Sequence, residues 1–199
     1  MIARAGTAGA LAWAVAGRPL PGETQSGDDA LVLDRGHDVL LAVVDGLGHG
    51  PDAAAAARAA CTALASSPGD LVALFQACHR SEARQRGAAL SAALVSAGGE
   101  MWWAGIGNVE GLVARPSGHE RLLMRGGVVG GSMPPLRPAR LELKRGDTLV
   151  LATDGLSEDL AQSCDGRDPE ALARLLLQQH ARATDDALVL VARFTGGPA

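Results

Sequence analysis

Apolar positions in this 199-residue chain gather in short runs separated by glycine, proline and charged residues. Val39 to Val44 is unbroken and, within a segment from Asp38 to Val44, predicts a buried strand; Thr148 to Thr153 and Ala187 to Phe194 read the same way. Shorter β-like runs lie at Leu11 to Val15, Ala30 to Leu33, Ala88 to Ser96, Met101 to Ile106, Gly111 to Arg115 and Arg121 to Arg125. Leu141-Glu142-Leu143 alternates as an edge strand does. Asp34-Arg35-Gly36-His37, Gly98-Gly99 and Pro116-Ser117-Gly118 supply the turns.

Helical spacing appears in three places. Pro51 to about Ser66 is Ala-rich, with Gly50 as N-cap, Pro51 in the first turn and Ser66-Ser67-Pro68-Gly69 as a stop. Asp70 caps a second helix carrying Leu71, Leu74, Phe75 and Cys78 on one face and ending near Gly87. Asp168 caps a third, with Pro169 in its first turn and Leu172, Leu175 and Leu176 together on one side. Gly126 to Pro138 is too rich in Gly and Pro for a regular element and reads as a mobile loop over a site. Two helices in succession break a βαβ rhythm and argue against a doubly wound parallel sheet. The order of elements predicts instead an α+β layered sandwich, sheets inside and helices outside, as a single domain over 1–199.

Composition narrows the function. The chain is 47% apolar, enough for a sizeable core, and its net charge of −4 offers neither a nucleic-acid nor an anionic-membrane surface. Aromatics are few, so the core rests on Ala, Val and Leu; of Trp102-Trp103, neighbours in a strand, one faces inward and the other out. Three cysteines without C-x-x-C spacing give neither a disulfide framework nor a zinc site, and reduced thiols in a cytoplasmic protein are expected. No run spans a bilayer. The N-terminus, Met1-Ile2-Ala3-Arg4 followed by small residues to Ala16, shares features of a signal peptide but is Gly/Ala-rich rather than Leu-rich.

The chemistry lies where apolar runs end. Val43-Val44-Asp45-Gly46-Leu47-Gly48-His49-Gly50-Pro51 holds a carboxylate between a buried strand and a helix. Three more acidic sites flank apolar runs: Ser26-Gly27-Asp28-Asp29, Thr153-Asp154-Gly155 and Thr184-Asp185-Asp186. Strand pairing puts Asp28 and Asp45 near opposite ends of neighbouring strands. Asp29 competes with Asp28 for the site role, and Asp186 reads as a local hydrogen-bonding residue. Carboxylates gathered in one pocket repel, so they must take up protons or bind cations, and oxygen donors without Cys or His select Mg²⁺ or Mn²⁺. Gly46 can add a carbonyl oxygen. Gly105-Ile106-Gly107-Asn108 and the glycines after Asp45 match no nucleotide-binding pattern.

Asp45-Gly46-Leu47-Gly48-His49-Gly50, Ala152-Thr153-Asp154-Gly155 and Asp185-Asp186-Ala187-Leu188-Val189 resemble, in order and spacing, the metal-dependent serine/threonine protein phosphatases of the type 2C superfamily. Within it they are similar to the SpoIIE class, and a bare catalytic domain resembles its stressosome-associated members. The resemblance implies a four-layer αββα sandwich of two antiparallel sheets flanked by helices. It implies two ions, Mn²⁺ or Mg²⁺, with Asp45 bridging them, Gly46 giving a carbonyl, Asp154 and Asp185 completing the site and Asp28 as an outer ligand. The implied substrate is phosphoserine or phosphothreonine on a STAS-domain (RsbS/RsbR-like) protein in a stress-response partner-switching pathway, handled by a monomer. The helix from Pro51 would be a switch or docking element, with ordinary packing as its alternative. Two departures stand out. The His that many members carry two residues after the bridging Asp is Leu47 here, leaving His49 as candidate acid or as a helix cap. No Arg occurs from Gly22 to Asp29 to grip phosphate. A phosphatase-fold binding module without turnover, or a small-molecule phosphohydrolase, are the other readings.

Overall fold

The computed structural model describes residues 1–157, 159–164 and 166–196, with residues 82 and 84 by backbone alone. A domain span of 1–199 thus reaches over residues 158, 165 and 197–199, which lie outside the described residues.

Strand β4 (Asp38–Gly46) shows why its run is unbroken. Successive side chains in a strand face opposite ways. Leu41 and Val43 enter one core while Leu40, Ala42 and Val44 enter another, so both faces are covered and neither tolerates charge. Strands β10 (Thr148–Ala152) and β11 (Ala187–Phe194) repeat the arrangement: Leu149, Leu151, Leu188 and Leu190 join the first core, and Val150, Val189 and Val191 a third. Each fully buried Leu or Val contributes roughly 1.5–3 kcal/mol.

The first core lies between two antiparallel sheets. One runs in the order β3 (Asp28–Asp34), β4, β5 (Ala88–Ser96), β6 (Glu100–Ile106), β9 (Ala139–Glu142). The other runs β1 (Ile2–Ala8), β2 (Leu11–Arg18), β11, β10, β7 (Glu110–Arg115), β8 (Gly118–Arg121). Helices α1 (Gly50–Ser66) and α2 (Leu71–Arg80) cover the five-stranded sheet, and α3 (Leu160–Ser163) and α4 (Pro169–His180) the six-stranded one. The result is the helix–sheet–sheet–helix sandwich expected of an α+β chain. Trp103 is buried between the sheets and Trp102 lies outside. Cys61, Cys78 and Cys164 are free, and burial pushes the Cys78 thiol up to about 12 and that of Cys61 higher still. Among the described residues no helix is long and apolar enough to cross a membrane.

Several expectations need correction. The stretch with signal-like features is β1, paired with β2 from Ile2↔Gly17 to Ala8↔Leu11. Its side chains are mostly exposed, so no alternation marked it as a strand. The successive β-like runs from Ala88 onward, which suggest one continuous antiparallel sheet, divide between the two: β5 and β6 lie in one, β7 and β8 in the other. Strand β8 occupies Gly118–Arg121 rather than Arg121 to Arg125. His49, not Gly50, is the residue before α1 with extended backbone, and its side chain caps nothing. Helix α2 ends at Arg80, and a single 3₁₀ turn, Glu82–Gln85, leads to Gly87. The loop from Gly126 to Pro138 is tied down: Ala88 and Val129 exchange two backbone bonds, Val128 N–H donates to the Ser132 carbonyl, and Gly130 N–H donates to His79 Nδ1.

Candidate active site

The acidic residues meet at one end of the sandwich because the strands that carry them end there. Asp28 opens β3 and Asp45 stands one residue before the end of β4, directly across in the antiparallel register. Asp28 is buried, whereas Asp29 points outward to Arg4 at 3.1 Å. Gly46 is required by close packing: a Cβ there would lie 2.2 Å from the Ala53 carbonyl oxygen of α1. The turn after it is held by Gly46 N–H to the Gly27 carbonyl (3.0 Å), by Leu47 N–H to the Gly87 carbonyl (3.1 Å), and by Arg86 Nε donating to the Leu47 carbonyl.

The other sheet supplies the second pair. Asp154 follows β10 and Asp185 precedes β11, with Gly155 between them in space; a Cβ on Gly155 would fall 1.7 Å from the Asp186 carbonyl oxygen. Thr153 joins the two sheets, its hydroxyl donating to Asp28 Oδ2 (2.8 Å) while accepting from Leu188 N–H (3.0 Å). Asp186 is buried and accepts Leu20 N–H at 2.8 Å and Gly27 N–H at 2.9 Å. It does hydrogen-bond, as expected, but across the whole length of the chain rather than locally. Replacing it by Ala would orphan two backbone donors, the buried one on Gly27 at about 1–3 kcal/mol and the part-buried one on Leu20 at less. Asp186→Ala should therefore lower the denaturant midpoint with little change in the m-value, which a urea titration would read.

Charge crowding shows in the acids themselves. Burial above all, then the Asp45 charge, holds the Asp28 carboxyl well above the usual range, against the pull of the Thr153 hydroxyl. Burial, with Asp154 and Asp185 behind it, pushes Asp45 up to about 7, against a hydrogen bond from Asn108. Asp185 is raised by burial and by Asp154, offset by the Asp186 N–H that it accepts at 2.8 Å. Four sequence-selected acids thus share one electrostatic neighbourhood. Among the described residues, however, no three His, Cys, Asp or Glu side chains close on a common point as a finished metal cage. Asp154 Oδ2 accepts the Asn108 amide at 2.6 Å. The donor set, hard oxygens with raised proton affinity, fits Mg²⁺ or Mn²⁺.

His49 sits at the rim, its Nδ1 2.9 Å from Glu23 Oε1, near enough for its charge to bear on Asp185. Asn108 and Glu23 escaped the sequence reading. Asn108 was visible only as part of a Gly-rich turn that matched no nucleotide motif.

The model of a family described as stage II sporulation protein E (SpoIIE) matches residues 35–195, a span that takes in Asp45, Asp154 and Asp185 but begins after Asp28. A solved structure from work on the bacterial stressosome, described as a modular system adapted to control secondary messenger signaling, is 33% identical, with a TM-score of 0.84 over 92% of this chain and 99% of that one. RsbX in complex with magnesium superposes with a TM-score of 0.85 at 19% identity, over 96% of this chain and 99% of that one. The catalytic domain of the serine threonine protein phosphatase PstP, in complex with two manganese ions, gives 0.73 at 20% identity, over 92% and 97%. The last two likenesses speak for the fold. No curated protein sequence matches the chain.

Proposed function

The chain belongs to the SpoIIE family, and from that premise we propose that it is a metal-dependent phosphoserine/phosphothreonine protein phosphatase. The observation that carries the reading is the meeting of Asp28, Asp45, Asp154 and Asp185, from four distant parts of the chain, in one crowded pocket that raises Asp45 to about 7. Asp45, the Gly46 carbonyl, Asp154 and Asp185 would hold the two ions, with Asp28 as an outer ligand. Two Mn²⁺ or Mg²⁺ ions, when bound, supply Lewis acidity toward a phosphoryl group and activate water. The protein holds the acids together against their mutual repulsion, which favours a cation or a proton among them. Glu23 Oε1 accepts from Nδ1 of His49, so this imidazole would give a proton from Nε2 to a departing serine oxygen only in its doubly protonated form.

The likeness to structures from stressosome work and to RsbX supports a phosphorylated STAS-domain protein as substrate, in partner switching, within the cytoplasm. We read residues 1–199 as one such domain, acting as a monomer. A second reading is a module that keeps the fold and binds a partner without turnover. Turnover of p-nitrophenyl phosphate and of a serine-phosphorylated STAS domain, with Mn²⁺ and with chelator, separates them. Metal-dependent release of phosphate supports the phosphatase. No release, with STAS-domain affinity retained in chelator, supports the module. Turnover of nucleotides alone would point to a small-molecule phosphohydrolase.

A further inference from the structure

Asn108 occupies a place that neither turn geometry nor packing explains. It lies in the short connection between β6 and β7, where the chain crosses from one sheet to the other. Gly107 before it has φ +98, and a Cβ there would fall 2.5 Å from Ala89 Cβ, so the backbone bends tightly against β5. Val109 after it is buried, its carbonyl accepting the Ser91 hydroxyl at 2.6 Å. The turn is anchored on both sides, and the one exposed side chain between the anchors aims at the acids.

Its amide nitrogen donates to Asp154 Oδ2 at 2.6 Å, and the side chain lies near enough to Asp45 to favour that acid's ionised form. Asp45 belongs to the five-stranded sheet and Asp154 follows a strand of the six-stranded one. Carboxylates only accept, and a side-chain amide offers two N–H donors on one nitrogen; its oxygen turned the same way would be repelled by both acids. One NH₂ group therefore suits two carboxylates in a way that a hydroxyl, a carboxylate or an apolar side chain does not. Each acid keeps a second oxygen for a cation.

We infer that Asn108 is a positioning residue for the cation site: by donating to Asp154 while lying beside Asp45, it sets the orientation of the Asp154 ligand relative to one contributed by the opposite sheet. The inference rests on the proposed metal site and adds to it a residue outside the carboxylate set. Such supporting hydrogen bonds are worth about 10–100-fold in metal affinity.

Calorimetric titration with Mn²⁺, on wild type, Asn108→Ala and Asn108→Asp, tests it. The expected result is Mn²⁺ affinity about 10–100-fold weaker in Asn108→Ala, with p-nitrophenyl phosphate turnover recovered at high Mn²⁺. Asn108→Asp keeps the shape, loses the donor and should also bind more weakly. Metal-free melting curves verify that each variant folds. Unchanged affinity in Asn108→Ala overturns the inference alone, as does Asn108→Asp binding Mn²⁺ at least as tightly as wild type, which would make the residue a ligand through its oxygen. Wild-type protein that binds no Mn²⁺ overturns the metal reading with it.

Discussion

Asp45→Asn should abolish function while making the metal-free protein more stable. The substitution keeps shape and removes the charge that the shared site would need, so Mn²⁺-dependent turnover should fall by more than about 100-fold, beyond the loss expected for a merely supporting residue. Stability should move the other way. The Asp45 carboxyl, pushed up to about 7 by burial and by its acidic neighbours, is ionised above neutrality only at a cost in folding free energy. A neutral amide does not carry that cost. At about 2–4 °C per kcal/mol for a chain of this size, relief of about 1–2 kcal/mol should raise the melting temperature in chelator near pH 8 by several degrees. Thermal melts and phosphatase assays on the same preparation read both effects. Unchanged turnover would remove Asp45 from the site; a lower melting temperature would show that the carboxylate is satisfied in some other way.

The features that could be read from the residues share a physical cause. Strands β4, β10 and β11 lie between a sheet and a helix layer, so both faces are apolar and their runs are continuous. Acidic residues at the ends of such strands stand out against the continuous apolar run on one side of them, which is why Asp45, Asp154 and Asp185 were legible. Strand β1 was not. An edge strand with one paired side and an exposed face has no apolar pattern to betray it, and Ala3, Gly6 and Thr7 suit a leader as well as a strand. The crossing between sheets after β6 was hidden too, because β7 carries the same short apolar signature that continued pairing with β6 would require. Asp186 shows the limit for polar residues: hydrogen-bonding capacity is evident in the chain, but its partners, the N–H groups of Leu20 and Gly27, are known only once β11 and β2 are paired.

Acid crowding also dictates how stability depends on pH and metal together. Asp45 holds its proton up to about 7 in the folded state, and Asp28 and Asp185 are raised in the same direction, whereas unfolded Asp releases its proton near the ordinary carboxylate value. Between about pH 4 and about pH 7 the folded protein therefore binds more protons than the unfolded chain, and linkage makes stability fall as pH rises through that window. The metal-free melting temperature should be higher near pH 5 than near pH 8. Mn²⁺ competes with those protons for the same oxygens, so its stabilisation should be largest where they have left. At 100 times its Kd an ion that binds only the folded state adds about 2.7 kcal/mol, and this increment should shrink steadily as the buffer is taken from about pH 8 to about pH 5. Subtracting the profile of Asp45→Asn cancels the groups that the two proteins share, and the remaining slope belongs to Asp45 and its coupling to the acids beside it. A chelated protein whose melting temperature rises across this range relative to Asp45→Asn, or a Mn²⁺ shift greatest in acid, would mean that these carboxylates are not the groups repelling one another in the folded chain.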